Sequence, residues 1–327
     1  MQWTTTFDIP EAQAKIDHHA HIYTVGSCFS TMIGEKLADR KFDVVNNPFG
    51  TLFNPLSISK VLEDSILELE IDEDMILSRD GLYLHYGMHS DVSAYSKDSL
   101  KRLIHKKHVQ TKNQLENASH LMITFGTAWV YELVEEKQLV ANCHKQPGHF
   151  FKKRLINLEE IHKIYIGLIQ LLKECNPHIH VVLTVSPVRH VKDGIISDQL
   201  SKSLLRLACH QIADSFDFVH YFPSYEIMMD ELRDYRFYKA DKIHPSEEAE
   251  DYIWHRFKQS WIAPVAYPMM QEIEQIKKEL AHRPFNPESP SHQKFLETLS
   301  KKIERLSQLF DFSKEMDQLR KHVDFRK

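Results

Sequence analysis

Strand-like runs alternate with helix-like segments through most of this chain, and this alternation limits the fold more than any other feature of the sequence. The strand-like runs lie at residues 22–25, 42–45, 121–125, 179–185 and 216–222, with a hairpin-like stretch at 130–142. The helix-like segments lie at residues 29–40, 56–69, 158–172, 198–214 and 245–257. Strands that alternate with helices favour an α/β fold, with a mostly parallel sheet and helices on its faces.

Polar loops follow several of these strands. They contain Gly, Ser, Asn, Asp or Arg, and they lie at residues 26–28, 47–51, 126–127, 186–190 and 241–244. In an open parallel sheet the ligand site lies outside the carboxyl ends of the strands. We therefore expect these five loops to meet at one edge of the sheet.

Two of the loops together contain the side chains of an acyl-transfer site. Gly26-Ser27-Cys28 places a small nucleophile where a strand turns into a helix, and either Ser27 or Cys28 can fill that role. Asp241 and His244 lie three residues apart, just before another helix. A nucleophile needs a base to accept its proton, and the base needs a third group to orient it. We expect His244 to be the base and Asp241 to orient its ring.

Each of these segments also has a purely structural interpretation. Cys28 can be a small buried thiol. The segment from Asp241 to Pro245 can be a helix-capping turn, because both Asp and Pro suit helix starts. Arg189 and His190 follow the clearest strand, and they either bind an anionic or carbonyl group of a substrate or close their loop through an ion pair.

Composition argues against several other classes of protein. The net charge of −5 is spread along 327 residues, so we expect no nucleic-acid partner. No apolar run is long enough for a membrane span, and we see no signal peptide. The four scattered cysteines indicate reduced thiols in a cytoplasmic protein. Cys143-His144 has no second ligand pair, so we expect neither a metal nor a cofactor.

The chain changes character after Pro264. Residues 270–281 and 293–310 are charged, amphipathic helical stretches. The second stretch has one apolar stripe, formed by Leu296, Leu299, Ile303, Leu306 and Phe310. We expect a main domain over residues 1–262 and a helical hairpin over residues 263–327, which packs on the main domain or forms a homodimer.

The motifs of this chain resemble those of the GSCFA family. Val25 to Ser30 is similar to the motif that gives the family its name, with Ser30 in place of the final Ala. Further blocks that look like those of the family lie at residues 47–55, 124–129, 142–145, 186–190 and 241–246. That family in turn resembles the SGNH, or GDSL-type, hydrolases. The resemblance implies a three-layer α/β/α, flavodoxin-like fold and an enzyme that acts on esters, often of acylated sugars or lipids.

The resemblance also implies roles for particular residues. The SGNH nucleophile position falls on Cys28, and the Asp position beside it falls on Ser27. The second SGNH block implies that the backbone N–H of Gly50 points into the oxyanion hole. The third block normally supplies an Asn side chain, which this sequence lacks, so Thr127 or Asn47 would have to donate instead.

Three functional hypotheses follow. The first is an SGNH-type hydrolase or acyltransferase that forms an acyl-enzyme on Cys28 or Ser27, which water or a sugar hydroxyl then resolves. Its substrate would be a small-molecule or glycan ester, bound with the help of Arg189, His190 and His144. The second, which the missing Asn favours, is a catalytically weak module that binds an acylated glycan. The third and weaker one is an interaction scaffold built on the C-terminal helices.

Overall fold

The computed structural model describes residues 4–324 of the chain. Its strands are β1 (His21–Gly26), β2 (Asp43–Asn46), β3 (Ile76–Arg79), β4 (Leu82–His85), β5 (Ser93–Ala94), β6 (His120–Phe125), β7 (Trp129–Leu133), β8 (Leu139–Val140), β9 (Phe151–Leu155), β10 (His180–Val185) and β11 (Val219–Tyr221). Its α-helices are α1 (Cys28–Ala38), α2 (Pro55–Ile66), α3 (Lys97–Asn117), α4 (Leu158–Cys175), α5 (Ile195–Asp214), α6 (Ser224–Glu226), α7 (Glu247–Trp261), α8 (Tyr267–Ala281), α9 (Pro290–Leu306) and α10 (Ser313–Asp324). Within residues 4–324, no helix is both long and apolar enough to cross a membrane.

Five parallel strands form the central sheet, in the order β2-β1-β6-β10-β11. Numbered by their order in the chain, this is 2-1-3-4-5, the strand order of the flavodoxin-like fold. The order reverses between β1 and β6, where Gly26 is paired with Thr124. Sheets of this kind bind their ligands at such a reversal. The expected α/β fold with a mostly parallel, flavodoxin-like sheet is confirmed.

Helices cover both faces of the sheet, because neighbouring residues of a strand point to opposite sides. In β1, Tyr23 and Val25 belong to a core with the buried residues of α2, α3, α4 and α5, whereas Ile22 belongs to a core with those of α1 and α7. In β6, Ile123 lies in the first core and Met122 in the second. The result is three layers, α/β/α. Strands buried on both faces are apolar at nearly every position, and they can therefore be recognised from the sequence.

Two small antiparallel sheets and one long helix were only partly expected. The hairpin expected at residues 130–142 is β7 with β8, and β9 pairs with the other edge of β7. The sheet β3-β4-β5 and the helix α3 have no counterpart among the sequence-based predictions. Strands of two to four residues are too short to show an alternating pattern. Helix α3 is rich in Lys, His, Asn and Gln and buries only a narrow stripe, so its apolar periodicity is weak.

Helices α8, α9 and α10 form the C-terminal extension, one helix more than the hairpin expected from the sequence. Their apolar residues make a cluster of their own. Ion pairs join the extension to the segment after α1: Arg40 Nε lies 2.6 Å from Glu274 Oε1, and Lys41 Nζ lies 2.8 Å from Glu315 Oε1. The domain boundary after residue 262 and the homodimer through these helices stay predictions.

Gly26 has no room for a side chain. Its φ is +137°, and a β-carbon there would clash with the Thr124 carbonyl oxygen and lie 2.8 Å from the Thr124 nitrogen. We expect Gly26→Ala to lower the free energy of unfolding by more than about 2 kcal/mol, measured by urea denaturation. Gly167 lies in α4 with open space around it, so Gly167→Ala, the matched control, should raise that free energy by about 0.5–1 kcal/mol. Equal effects at the two positions would contradict this account.

Candidate active site

The turn from β1 into α1 is held by hydrogen bonds from its backbone. Gly26 N–H donates to the side-chain oxygen of Asn47 at 2.8 Å, and Ser27 N–H donates to the carbonyl oxygen of Thr124 at 3.1 Å. Ser27 is the N-cap of α1, and Cys28 is the first residue of that helix. The turn therefore places both candidate nucleophiles where the strand order reverses.

The two candidate nucleophiles have different surroundings. The Ser27 hydroxyl is buried and has no hydrogen-bond partner among the residues that the structure describes. Its β-carbon lies 3.2 Å from the point that a β-carbon on Gly126 would occupy, so Ser27 packs against the end of β6. Cys28 is only partly buried and lines an open pocket. Cys28 is therefore the one of the two that a substrate in this pocket can reach.

This pocket has a volume of about 330 Å³. The residues that line it are Cys28, Phe29, Thr31, Met32, Glu35, Thr51, Val188, Lys239, His244, Pro245 and Glu250. Four of the five loops expected at this edge of the sheet contribute to it, and residues 126–127 do not. The fold thus brings Cys28 and His244 to one pocket although they lie far apart in the chain.

Asp241 holds the ring of His244. The distance between His244 Nδ1 and Asp241 Oδ2 is 2.7 Å, and Asp241 Oδ1 accepts the backbone N–H of Ile243 at 2.8 Å and that of His244 at 3.0 Å. These hydrogen bonds lower the pKa of Asp241 to about 2, and the one to the His244 ring has the largest effect. Because Nδ1 is committed to the carboxylate, Nε2 is the nitrogen left to exchange a proton with a ligand.

Arg189 braces the loop that contains His244. Its backbone N–H donates to the carbonyl oxygen of Ile243 at 3.2 Å, and its guanidinium donates to the carbonyl oxygen of Lys242 at 3.2 Å. The guanidinium carbon also lies 5.6 Å from the centre of the Tyr238 ring, which is within cation–π range. Arg189 therefore ties the loop after β10 to the loop of His244.

None of the three residues expected to bind substrate, Arg189, His190 and His144, lines the pocket of Cys28. His190 Nε2 is buried without a partner in the described part of the chain, and it lies 3.3 Å from the point that a β-carbon on Gly126 would occupy. Burial lowers the pKa of His190 to about 3, and the charge of Lys202 makes a smaller contribution in the same direction. His144 is buried elsewhere, where its Nε2 donates to the carbonyl oxygen of His85 at 2.9 Å.

The three candidate oxyanion donors are engaged in other hydrogen bonds. Gly50 N–H donates to the carbonyl oxygen of Asn47 at 2.8 Å. The Asn47 side-chain nitrogen donates to Thr31 Oγ1 at 2.7 Å, and its oxygen accepts from the β1–α1 turn. Thr127 N–H donates to the carbonyl oxygen of Phe53 at 2.9 Å, and the Thr127 hydroxyl accepts the N–H of Trp129 at 3.1 Å and lies 3.3 Å from Ser201 Oγ. An oxyanion at the pocket would therefore need other donors.

Two backbone N–H groups at the pocket are open to a ligand. Neither the N–H of Cys28 nor that of Thr51 donates to a backbone carbonyl oxygen within residues 4–324, and that of Cys28 lies beside its own thiol. Cys28 begins α1, so its N–H is one of the unsatisfied donors of a helix N-terminus. Thr51 follows Gly50 directly and lines the same pocket. The motif of this loop pointed to Gly50, and only the hydrogen bonds show that the free donor lies one residue later.

The thiol of Cys28 is protonated at neutral pH. Burial raises its pKa above the ordinary value, and this effect exceeds the opposing effects of its own backbone N–H and of the Thr51 side chain. The stabilisation of a thiolate expected at a helix N-terminus is thus smaller than the loss of hydration. A reaction at Cys28 therefore requires a base.

Lys202 joins the ends of two strands behind the site. It is 1% exposed, and its ammonium donates to the carbonyl oxygens of Gly126 at 2.8 Å and Ser186 at 2.7 Å. These carbonyls directly follow β6 and β10. Burial lowers the pKa of Lys202 to about 7, against the opposing effect of Asp198. No sequence pattern marks this lysine, because lysines on amphipathic helices are ordinarily exposed.

Helical periodicity could have revealed further pocket residues. Thr31, Met32 and Glu35 follow the first residue of α1 at steps of three, four and seven, so they share its side of the helix. Lys239 and Glu250 line the pocket too, with 3.2 Å between Nζ and Oε1. Glu35, Lys239 and Glu250 therefore give the pocket of Cys28 a charged lining.

The strand order and the pocket at its reversal define an α/β protein of the three-layer, flavodoxin-like class. The chain belongs to the GSCFA family: the GSCFA family model matches residues 21–257, and the model described as GSCFA domain protein, C-terminal domain, matches residues 273–324. The family expected from the motifs is thus confirmed.

Other comparisons are distant. No curated protein matches the chain. A solved carbohydrate esterase family 3 structure from Talaromyces cellulolyticus is 8% identical, with 78% of this chain and 99% of that chain covered and a TM-score of 0.34. A second solved structure is 12% identical, with 74% and 95% covered and a TM-score of 0.37. Neither likeness is close enough to assign an activity.

The hydrogen bond from His244 is the largest cause of the low pKa of Asp241. We expect an NMR titration to give a pKa of about 2 for this carboxyl group in the wild type. In His244→Ala the pKa should rise but stay below 3.8, because the backbone N–H of Ile243 still donates. His21→Ala is the matched control: it removes the exposed His21–Asp43 pair at the other end of β1 and should leave the pKa of Asp241 unchanged. An unchanged pKa in His244→Ala would contradict this assignment.

The ammonium of Lys202 satisfies two buried carbonyl oxygens. We expect Lys202→Met to lower the free energy of unfolding by about 2–4 kcal/mol, because both acceptors lose their donor. Lys163 is exposed on α4, so Lys163→Met should change that free energy by less than about 0.5 kcal/mol. Chemical denaturation of both variants measures the difference, and a loss at Lys202 no larger than that at Lys163 would refute the strand-joining role.

Proposed function

We propose that this protein is a thiol-dependent esterase or acyltransferase that forms an acyl-enzyme on Cys28. The proposal is supported by one observation above all: Cys28 lines the same pocket as His244, whose ring is 2.7 Å from the Asp241 carboxylate. Nucleophile, base and orienting carboxylate are the three groups that acyl transfer to a thiol requires.

The first half of the reaction forms a thioester. His244 Nε2 accepts the thiol proton while Cys28 Sγ attacks the carbonyl carbon of the ester. A carbon–sulfur bond forms, the carbon–oxygen bond to the alcohol breaks, and the imidazolium returns the proton to the departing alkoxide. The acyl group is then held on Cys28, and His244 is again neutral.

The second half of the reaction releases the acyl group. His244 takes a proton from water or from an acceptor hydroxyl, whose oxygen attacks the thioester carbon. The carbon–sulfur bond breaks, and the imidazolium protonates the departing thiolate of Cys28. Water as the acceptor gives an esterase, and a hydroxyl gives an acyltransferase.

The electrostatics of the site are consistent with these roles. The raised pKa of Cys28 makes a general base necessary. The low pKa of Asp241 keeps this carboxylate ionised at neutral pH, where it stabilises the imidazolium that forms on His244. In this structure Cys28 and His244 share the pocket without a direct hydrogen bond, and such catalytic hydrogen bonds commonly tighten when substrate binds.

The free backbone N–H groups of Cys28 and Thr51 are the donors that we assign to the oxyanion of the tetrahedral intermediates. One such donor stabilises the transition state by about 3 kcal/mol. This assignment needs no Asn side chain, so the missing third-block Asn does not argue against catalysis.

The pocket favours a substrate with a polar group beside the ester. Its volume of about 330 Å³ lies at the small end of ligand sites. Glu35 and the Lys239–Glu250 ion pair line it and offer both acceptors and donors. A short acyl group on a sugar meets these requirements, and an acylated glycan is therefore the substrate class that we propose.

Activity on an acetylated model ester tests the nucleophile. We expect Cys28→Ala to lower kcat/KM by at least about 10³-fold, because the acyl acceptor is lost, and mass spectrometry of the quenched wild type to find the acyl group on Cys28. Ser27→Ala is the matched control, and it should keep activity within about threefold because the Ser27 hydroxyl is buried without a partner among the described residues. Full activity of Cys28→Ala, or an acyl group on Ser27, would refute the assignment.

The same assay tests the base. We expect His244→Ala to lose about as much activity as Cys28→Ala, and Asp241→Asn to lose about 10²–10⁴-fold. His21→Ala should retain full activity, because the His21–Asp43 pair has similar geometry, with 2.6 Å between Nδ1 and Oδ2, but lies at the other end of β1. If the wild type binds a ligand but does not turn it over, the enzyme proposal is wrong and the protein is a binding module.

A further inference from the structure

A second cavity lies on the face of the sheet that α2, α3 and α4 cover. Its volume is about 360 Å³, and it shares no lining residue with the pocket of Cys28 within the described chain. Its apolar wall includes Val61, Ile71, Met88, Ile104, Leu139 and Ile164. Side chains in a packed core fill such a space, because an empty cavity leaves its lining atoms without contacts.

Two residues that line this cavity each have a buried polar atom without a hydrogen-bond partner in the described part of the chain. His108 Nε2 and Gln138 Oε1 are both inaccessible to bulk water, and neither makes a hydrogen bond to any residue in the described ranges. His108 is 5% exposed. Burial lowers its pKa, so the ring is neutral at pH 7 and Nε2 can accept a hydrogen bond. Buried polar atoms are rarely left unpaired, and two in one cavity wall indicate a missing donor.

The wall and mouth of the cavity are acidic. Glu63, Asp64, Glu70 and Asp72 line it, against the single ammonium of Lys60. Lys60 Nζ lies 2.5 Å from Asp64 Oδ1, so its charge is already balanced. The remaining carboxylates repel an anionic ligand and attract a cationic one.

We propose that this cavity binds a small amphiphilic amine, with its apolar chain among the aliphatic side chains and its ammonium N–H groups directed to Gln138 Oε1, His108 Nε2 and the acidic mouth. The apolar wall matches the alkyl chain of such a ligand. The two unpaired atoms match its hydrogen-bond donors, and the carboxylates match its positive charge. The inference does not depend on the chemistry of Cys28.

The position of the cavity gives it a link to the first pocket. The His108 ring packs against the Phe49 ring with 5.5 Å between centres, and Phe49 lies two residues before Thr51. A ligand in the second cavity would thus contact the side chain that supports the loop of Thr51.

Calorimetry with alkyl probes tests the proposal. At neutral pH we expect octylamine to bind the wild-type protein more tightly than hexylamine. The gain should be about fourfold for each additional methylene group, because the alkyl chain is buried. Octanoate has a similar alkyl chain and the opposite charge, and it should bind at least about tenfold more weakly than octylamine. Absence of octylamine binding, or octanoate binding as tight as that of octylamine, would overturn the proposal.

Substitutions locate the binding site. Ala141 lines the cavity, so Ala141→Leu should fill part of it and weaken octylamine binding at least about tenfold. Gln138→Met keeps the length of the side chain but removes its acceptor, and should weaken octylamine more than octanol. Ala281→Leu, on the exposed end of α8, is the matched control and should bind octylamine like the wild type. Unchanged binding by Ala141→Leu would refute the site.

Methyl NMR of the wild-type protein is a second way to locate the octylamine site, and it needs no variant. With isoleucine methyl groups labelled, octylamine should shift the signals of Ile71, Ile104 and Ile164, which line the cavity. Ile253 lies in the core on the opposite face of the sheet and Ile303 in the C-terminal helices, and their signals should not move. Shifts confined to Ile253 or Ile303 would overturn the proposal.

Discussion

The close approach of β1 and β6 at Gly26 is the constraint on which the site depends. Without a β-carbon, and with a φ of +137°, the chain can pass against the Thr124 backbone and turn at once into α1. Ser27 then occupies the N-cap position against β6, and Cys28 begins the helix at the pocket. A side chain at Gly26 would push the start of α1 away from β6 and move the thiol and its free N–H with it. The reversal of strand order supplies the space, and the glycine allows the helix to begin inside it.

Long-range hydrogen bonds then determine what this geometry can do. Arg189, in the loop after β10, holds the segment in which Asp241 orients the His244 ring, and this brings an imidazole to the pocket of Cys28. Lys202 joins the ends of β6 and β10 from within the core. Around Cys28, loss of hydration outweighs the nearby donors, so the thiol keeps its proton until a base removes it. A pocket with a protonated thiol and an oriented imidazole is what links the fold to the proposed acyl transfer.

The parts that sequence reasoning predicted correctly have strong local patterns. The strands buried on both faces, such as β6 and β10, are nearly continuous apolar runs, and the strand-ending loops carry glycine or serine. The central sheet, most of its flanking helices and the family could therefore be predicted. Short strands β3 to β5 and the polar helix α3 lack such a pattern and were missed. The oxyanion donors expected at Gly50, Asn47 and Thr127 have other partners in the structure, because a motif identifies a loop but not the direction of each N–H group.

The amino-acid sequence by itself determined the fold class, the order of the central strands and most of the loops that meet at the edge of the sheet, because periodicity and glycine placement act over neighbouring residues. Only the tertiary structure decided that Cys28 reaches the pocket while Ser27 is buried, that the thiol has a raised pKa, and that the free N–H groups belong to Cys28 and Thr51. Burial and hydrogen-bond satisfaction depend on residues that are distant in the chain and become neighbours only when it folds.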